Sequence, residues 1–360
     1  MNASGSILVY VGTYTGPLSK GIYLYRFDLG SGSLTPLGLA GATASPSFLA
    51  IHPNGRFLFA ANELGEYAGQ PGGAVSAFAI DPTGRLTPLN QQPTGGAHPC
   101  HLTLDQAGAH LMVANYSGGN IAVFPVLPNG HLGNATSFIQ HHGSSVNPGR
   151  QKGPHAHGIY QDPASGLIFV PDLGLDQVLL YRYAQRPGQL VASEPAFIAT
   201  KPGAGPRHIA FHSGGRFAYI INEIDSTIAA VDLANRGSPR IFQTIATLPK
   251  DFSGPSTTAE IAIHPHGAFL YGSNRGHDSI AVFAIDPAAG TLSLVEHVPT
   301  GGKDPRHFAI DPSGRWLLAA NQNSHNITTF RVDAGTGRLT PLGTPVEAPS
   351  PVCVQWMIQA

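Results

Sequence analysis

Histidine, arginine and glutamate recur along this chain at intervals rather than at random. One series contains His101, His155, His157, Arg207, His208, Glu260, Arg306 and His307. A second follows one short hairpin later, with Asn62, Glu63, Asn115, Asp172, Asn222, Glu223, Asn274, Arg275, Asn321 and Gln322. Glu223 and Arg275 stand where other copies have Glu, Tyr or Gln, and His157 where others have aliphatic or small residues, so these three stand out. Gathered in a concave, partly dry site, such groups supply a proton acceptor for water and a cation for a developing oxyanion. An arginine fork also suits the phosphate or carboxylate of an anionic substrate.

The spacing comes from a repeated module: Pro, a polar residue, a short apolar strand, an Asp/His-Pro-x-Gly turn, a second apolar strand, then Asn or Asp. It reads PSFLAIHPNGRFLFAANE at 46–63, PCHLTLDQAGAHLMVANY at 99–116, PHAHGIYQDPASGLIFVPD at 154–172, PRHIAFHSGGRFAYIINE at 206–223, TAEIAIHPHGAFLYGSNR at 258–275 and PRHFAIDPSGRWLLAANQ at 305–322. Third strands follow, as in GNIAVFPV at 119–126 and DSIAVFAI at 278–285, and weaker fourth strands lead to the next copy. A period of roughly fifty residues is that of a four-stranded propeller blade. Six blades are visible. SPVCVQWMI at 350–358 reads as an inner strand and residues 7–29 as outer strands, so the two ends complete a seventh. The expectation is an all-β, seven-bladed β-propeller of four-stranded antiparallel blades, one domain over 1–360, closed by pairing the N-terminal strands with the C-terminal strand.

In that architecture module starts and second-strand ends share one rim, and the connecting turns form the other. His52, Asp162, His264 and Asp311 on the turn rim are expected to cap turns. The recurring Asn62, Asn115, Asn222, Asn274 and Asn321 read as architecture too. The irregular stretch 134–153, rich in Ser, Gly and His, is a candidate functional loop. The His155-x-His157 pair would face one way on a regular strand, but no carboxylate completes a metal set and Arg207 and Arg275 would repel a cation. No metal and no cofactor are expected. There is no GxSxG elbow, no P-loop and no strand-borne GxGxxG.

Composition narrows the class. With 44 Gly, 31 Pro and only 11% charged residues, the chain suits many tight turns between apolar strands. A net charge of −1 gives no basic field for nucleic acid or an anionic membrane, so neither partner is expected. The start shows no secretory leader and no stretch is apolar enough to span a bilayer, which makes the cytoplasm the expected compartment. Cys100 and Cys353 are too few for a disulfide framework and read as buried packing residues.

The segments GPHAHGIYQDP at 153–163, DLGLDQV at 172–178, GPRHIAFHSGGRFAYIINE at 205–223, AEIAIHPHGAFLYGSNRG at 259–276 and GKDPRHFAIDPSGRWLLAANQ at 302–322 resemble the seven-bladed 6-phosphogluconolactonase family, to which fungal carboxy-cis,cis-muconate cyclases are similar. The resemblance implies a channel-mouth active site with His157, Arg207, Glu223 and Arg275 as the catalytic set. His101, His155, Asp172, His208 and Arg306 on the same rim are expected to bind substrate. The implied activity is metal-free hydrolysis of a phosphorylated or carboxylated sugar lactone, 6-phosphogluconolactone above all. Glu223 or His157 would activate water, and Arg207 and Arg275 would divide the oxyanion and the phosphate between them. The cyclase reaction on a muconate and a non-catalytic interaction platform are the alternatives, the last requiring an exposed apolar patch rather than convergent charge.

Overall fold

The computed structural model describes residues 5–357 and consists of strands and turns, with no α-helix among them. Seven four-stranded antiparallel sheets form the blades of the expected propeller. Blade 1 begins with the inner strand Pro46–Ile51, and the next five begin with Pro99–Leu104, Tyr160–Gln161, Pro206–Phe211, Thr257–Ile263 and Pro305–Ile310. Blade 7 takes Pro351–Trp356 as its inner strand and Ser6–Thr13, Gly21–Asp28 and Leu34–Ala42 as its outer three. Val11 lies opposite Val354 and Val9 opposite Trp356, so chain termini close the ring as expected. Ile358, the last residue of the expected closing strand, lies outside the described residues.

Each blade is covered on both faces by its neighbours, which explains why its middle strands are continuously apolar. All six residues of Phe57–Asn62 are buried. Seven apolar clusters fill the seven junctions: Phe57 and Phe59 meet Leu111 and Val113 between blades 1 and 2, and Phe27 meets Trp316 and Leu318 between blades 7 and 6. The turn rim adds polar stitching. His52 Nδ1 accepts from the Asn54 amide while its Nε2 reaches Gly108 O of the next blade at 3.1 Å, and His264 repeats this with Gly314 O at 2.8 Å. The strand-ending asparagines are architectural: the Nδ2 groups of Asn115, Asn274 and Asn321 bond to Thr94 O, Thr247 O and Thr300 O at the end of the preceding blade.

Two features depart from the repeat. A two-stranded hairpin, Glu66–Tyr67 with Gln70–Pro71, is inserted into blade 1. In blade 3 the inner strand shrinks to Tyr160–Gln161, with Ala156 joined to Asp172 only by an isolated bridge. The regular strand that would have aligned His155 with His157 is therefore absent.

A further irregularity matters more for function. The inner-strand pairing shifts by one residue between Pro46 and Phe48, Pro99 and His101, Pro206 and His208, and Pro305 and His307. Ser47, Cys100, Arg207 and Arg306 are thus the extra residues of β-bulges, a device that re-aims a side chain at the end of a strand.

Candidate active site

Two repeat positions build the site. The residues just after the strand-ending asparagines supply Glu63, Tyr116, Glu223 and Arg275, and the bulges supply Cys100 and Arg306. With His157, Thr257 and Arg150 they line a cavity of about 260 Å³.

Glu223 stands at its centre. Its Oε1 lies 2.5 Å from Arg150 Nη2; its Oε2 accepts from Arg207 Nε at 3.1 Å and pairs with Arg275 Nη2 at 2.9 Å. Burial pushes the carboxyl pKa up, but Arg275, Arg207 and Arg150 together overcome this and hold it at about 2. A carboxylate so stabilised is a poor proton acceptor near neutral pH, because efficient bases have a pKa close to the working pH. Of the two expected bases, Glu223 and His157, this argues against Glu223, whose two oxygens are engaged by the three arginines.

Arg207 is also redefined. It is 3% exposed, and Nη1 donates to Ala259 O at 2.8 Å while Nε holds Glu223. It lies behind the residues that line the cavity, away from the position expected for a substrate contact. Arg275 does face the cavity; Nη2 bonds Thr258 O at 2.8 Å, and Nε is buried without a partner, a donor still to be satisfied.

His157 Nε2 sits 3.6 Å from Glu223 Oε2, and Nδ1 sits 3.6 Å from Cys100 Sγ. Burial, then the charges of Arg207 and His208, hold its pKa well below the usual histidine value, so the ring is neutral at pH 7. Both nitrogens are directed at protein atoms. Cys100 is buried as expected, and burial raises its thiol pKa, which leaves it unreactive.

Across the cavity lie Glu63 and Arg306. Tyr14 Oη donates to Glu63 Oε2 at 2.9 Å and its ring lies under the Arg306 guanidinium, 5.4 Å from Cζ to centroid. Arg306 Nη2 is 4.0 Å from Glu63 Oε1, and among the described residues Arg306 donates no side-chain hydrogen bond. Arg306, expected to bind substrate, lines the cavity.

Arg150 was not among the expected site residues, although the stretch 134–153 that carries it was. That loop is fastened at several points. Gln151 is fully buried and donates to Leu173 O at 2.8 Å, Ser145 Oγ donates to Asp176 Oδ2 at 2.6 Å, and His141 Nδ1 meets Asp172 Oδ2 at 2.7 Å. Asp172 Oδ1 also accepts from the amides of His155 and Gly174. Fully buried and so engaged, Asp172 anchors the loop instead of binding substrate as expected. His155 stacks on Tyr116 with centroids 4.6 Å apart and bonds Tyr116 O through Nδ1 at 3.0 Å. It supports a wall residue and does not line the cavity.

His101 and His208 lie deeper, packed in the channel with Phe48, Tyr160 and His307; Phe48 is 4.2 Å from His101 and 5.7 Å from His307, centroid to centroid. They are 2% and 1% exposed, and His208 Nδ1 contacts Glu260 Oε2 at 3.1 Å. These two were also expected to touch substrate. Their place is a plug beneath the cavity, and neither lines it.

No group of three or more His, Cys, Asp or Glu side chains among the described residues is placed to hold a metal ion. Large exposed apolar side chains, Leu18, Phe138, Val146 and Leu294 among them, are scattered over different blades.

Residues 8–356 match the family model described as a lactonase with a seven-bladed β-propeller. The chain is 38% identical over 352 residues to the 6-phosphogluconolactonase of Bacillus subtilis, covering 97% of this chain and 98% of that one. The 6-phosphogluconolactonase of Formosa agariphila is 37% identical, over 83% and 85% of the respective chains. The periplasmic gluconolactonase of Pseudomonas aeruginosa superposes with a TM-score of 0.92 at 38% identity, over 99% of this chain and all of that one. The chain belongs to the seven-bladed β-propeller lactonase family and is a lactone hydrolase.

Proposed function

We propose that the cavity hydrolyses 6-phosphogluconolactone to 6-phosphogluconate. The observation that carries this is its charge: the guanidinium groups of Arg150, Arg275 and Arg306 face two carboxylates, with Arg207 directly behind. An excess of fixed cations in a concave site selects an anion. The relatives' names divide between phosphorylated and unphosphorylated gluconolactone, and the arginines favour the former. In this reading Arg275, with its unpartnered Nε, and Arg306, with all its donors uncommitted, hold the carbonyl oxygen as it becomes an oxyanion. Arg150, 39% exposed at the mouth, takes the phosphate, the most hydrated part of the substrate. Glu223, Arg207 and His157 keep the guanidinium groups in place, and a cavity carboxylate takes the proton from water. No step needs a metal.

The test is the hydrolysis rate above the spontaneous one, measured with chelator present, for wild type and Arg275→Ala. A strong chelator-resistant rate, lost in the folded variant, supports the reading. No rate with any sugar lactone sinks it and directs attention to carboxymuconate as substrate.

A further inference from the structure

We propose that Glu63 is the general base that activates the attacking water, an assignment that rests on the lactonase reading above. Two carboxylates share the cavity, and their surroundings divide the labour. Both oxygens of Glu223 are engaged by guanidinium groups, Arg150 on Oε1 and Arg207 with Arg275 on Oε2. A proton arriving there must first displace an arginine. Glu63 differs. Only Oε2 accepts a hydrogen bond, from the neutral hydroxyl of Tyr14 at 2.9 Å, and Oε1 accepts none. The nearest cation to Oε1 is Arg306 Nη2 at 4.0 Å, beyond hydrogen-bond length.

Glu63 Oε1 and Arg306 are thus an uncommitted acceptor and an uncommitted donor set side by side, the pair that water addition to a carbonyl requires. His157 offers no competing site, since its ring is 5% exposed and its nitrogens point to Glu223 and Cys100. Tyr14 fixes both partners at once, bonding Glu63 and lying under Arg306.

The step balances without another reactant. Water oxygen bonds to the lactone carbonyl carbon while one water proton passes to Glu63 Oε1. The carbonyl π pair moves onto oxygen, where Arg306 holds it. On collapse the ring C–O bond breaks and the Glu63 carboxylic acid protonates the departing ring oxygen, giving a hydroxyl. The new carboxylic acid loses its proton to solvent, and Glu63 is again a carboxylate.

The experiment compares wild type, Glu63→Gln and Glu63→Asp on 6-phosphogluconolactone across pH, above the spontaneous rate. Gln can still accept the Tyr14 bond, so folding is expected to persist, with circular dichroism and Tm as checks. The expected result for Glu63→Gln is a kcat loss on the order of 10²- to 10⁴-fold, KM changed less than about three-fold, and the acid limb of the kcat/KM profile gone. Glu63→Asp retains a base at a longer reach, so it keeps the acid limb with an intermediate loss and answers the question if the Gln variant misfolds. Wild-type kcat or an unchanged acid limb in Glu63→Gln overturns the assignment alone; so does a rise in KM with kcat intact, the mark of a residue that only binds a sugar hydroxyl. A wild type with no rate above the spontaneous one overturns the lactonase reading and this assignment together.

Discussion

Arg150 Nη2 and Glu223 Oε1 lie 2.5 Å apart although 73 residues separate them in sequence. The pair joins a loop of one blade to the strand end of another across the mouth of the cavity, and an anionic substrate entering there competes with Glu223 for the same guanidinium.

Arg150→Ala is therefore expected to change selectivity. Truncating a hydrogen bond to a charged group costs about 1.5–3 kcal/mol, or roughly 10- to 150-fold. That loss in kcat/KM should fall on the phosphorylated lactone, with a much smaller effect on glucono-δ-lactone. Equal losses on both substrates would show that Arg150 acts only through Glu223.

Glu223→Gln is expected to destabilise the fold as well as stop turnover, since it leaves buried guanidinium groups without their counter-charge. Removing one partner of such a pair costs about 3–5 kcal/mol. The pH dependence has a definite sign. The native carboxyl titrates at about 2 against an ordinary 4.5, so its contribution is complete above pH 4.5 and is lost as pH falls toward 2. Urea midpoints measured through that window should decline less steeply in the variant than in wild type.

The channel histidines give a second, higher window. Burial holds His101, His157, His208 and His307 below the ordinary histidine pKa of 6.5. Below pH 6.5 the unfolded chain gains protons that these rings refuse, so stability is full above that pH and falls beneath it. Each fully refused proton costs up to about 1.4 kcal/mol per pH unit. Glu260 opposes the trend, because burial raises its carboxyl pKa and the native state takes up its proton first. Denaturation at pH 7.5 and 5.5 should show a net loss that is smaller in His101→Asn and larger in Glu260→Gln.

Much of this arrangement was legible in the sequence. The fifty-residue module fixed blade number, closure and rim, because each copy carries its own turn and its own strand-ending Asn or Asp. Glu223 and Arg275 were found as exceptions to the repeat, and Glu63 occupies the same repeat position. The bulges were not legible. Simple alternation places Arg207 and His208 on opposite faces, whereas the shifted register after Pro206 turns one toward Glu223 and the other into the channel. Nor could Arg150 be singled out, since the bonds that aim it come from Asp172, Asp176 and Leu173, in the next blade's sequence.

That anchoring can be tested at Gly174, which follows Leu173 and donates its amide to Asp172 Oδ1 at 3.0 Å. A Cβ at this position would stand 1.9 Å from Gly153 O, so the backbone at the end of the arginine loop would have to move. Gly174→Ala is expected to raise KM for the phosphorylated lactone by displacing Arg150, and to lower Tm by several degrees. Loop displacement and loss of the guanidinium then share one cause, and contacting sites of this kind are non-additive. Gly174→Ala combined with Arg150→Ala should bind phosphorylated lactone little worse than Arg150→Ala alone, while the Tm loss from Gly174→Ala persists. Full additivity of the two effects on KM would mean that the loop anchored by Asp172 does not aim Arg150.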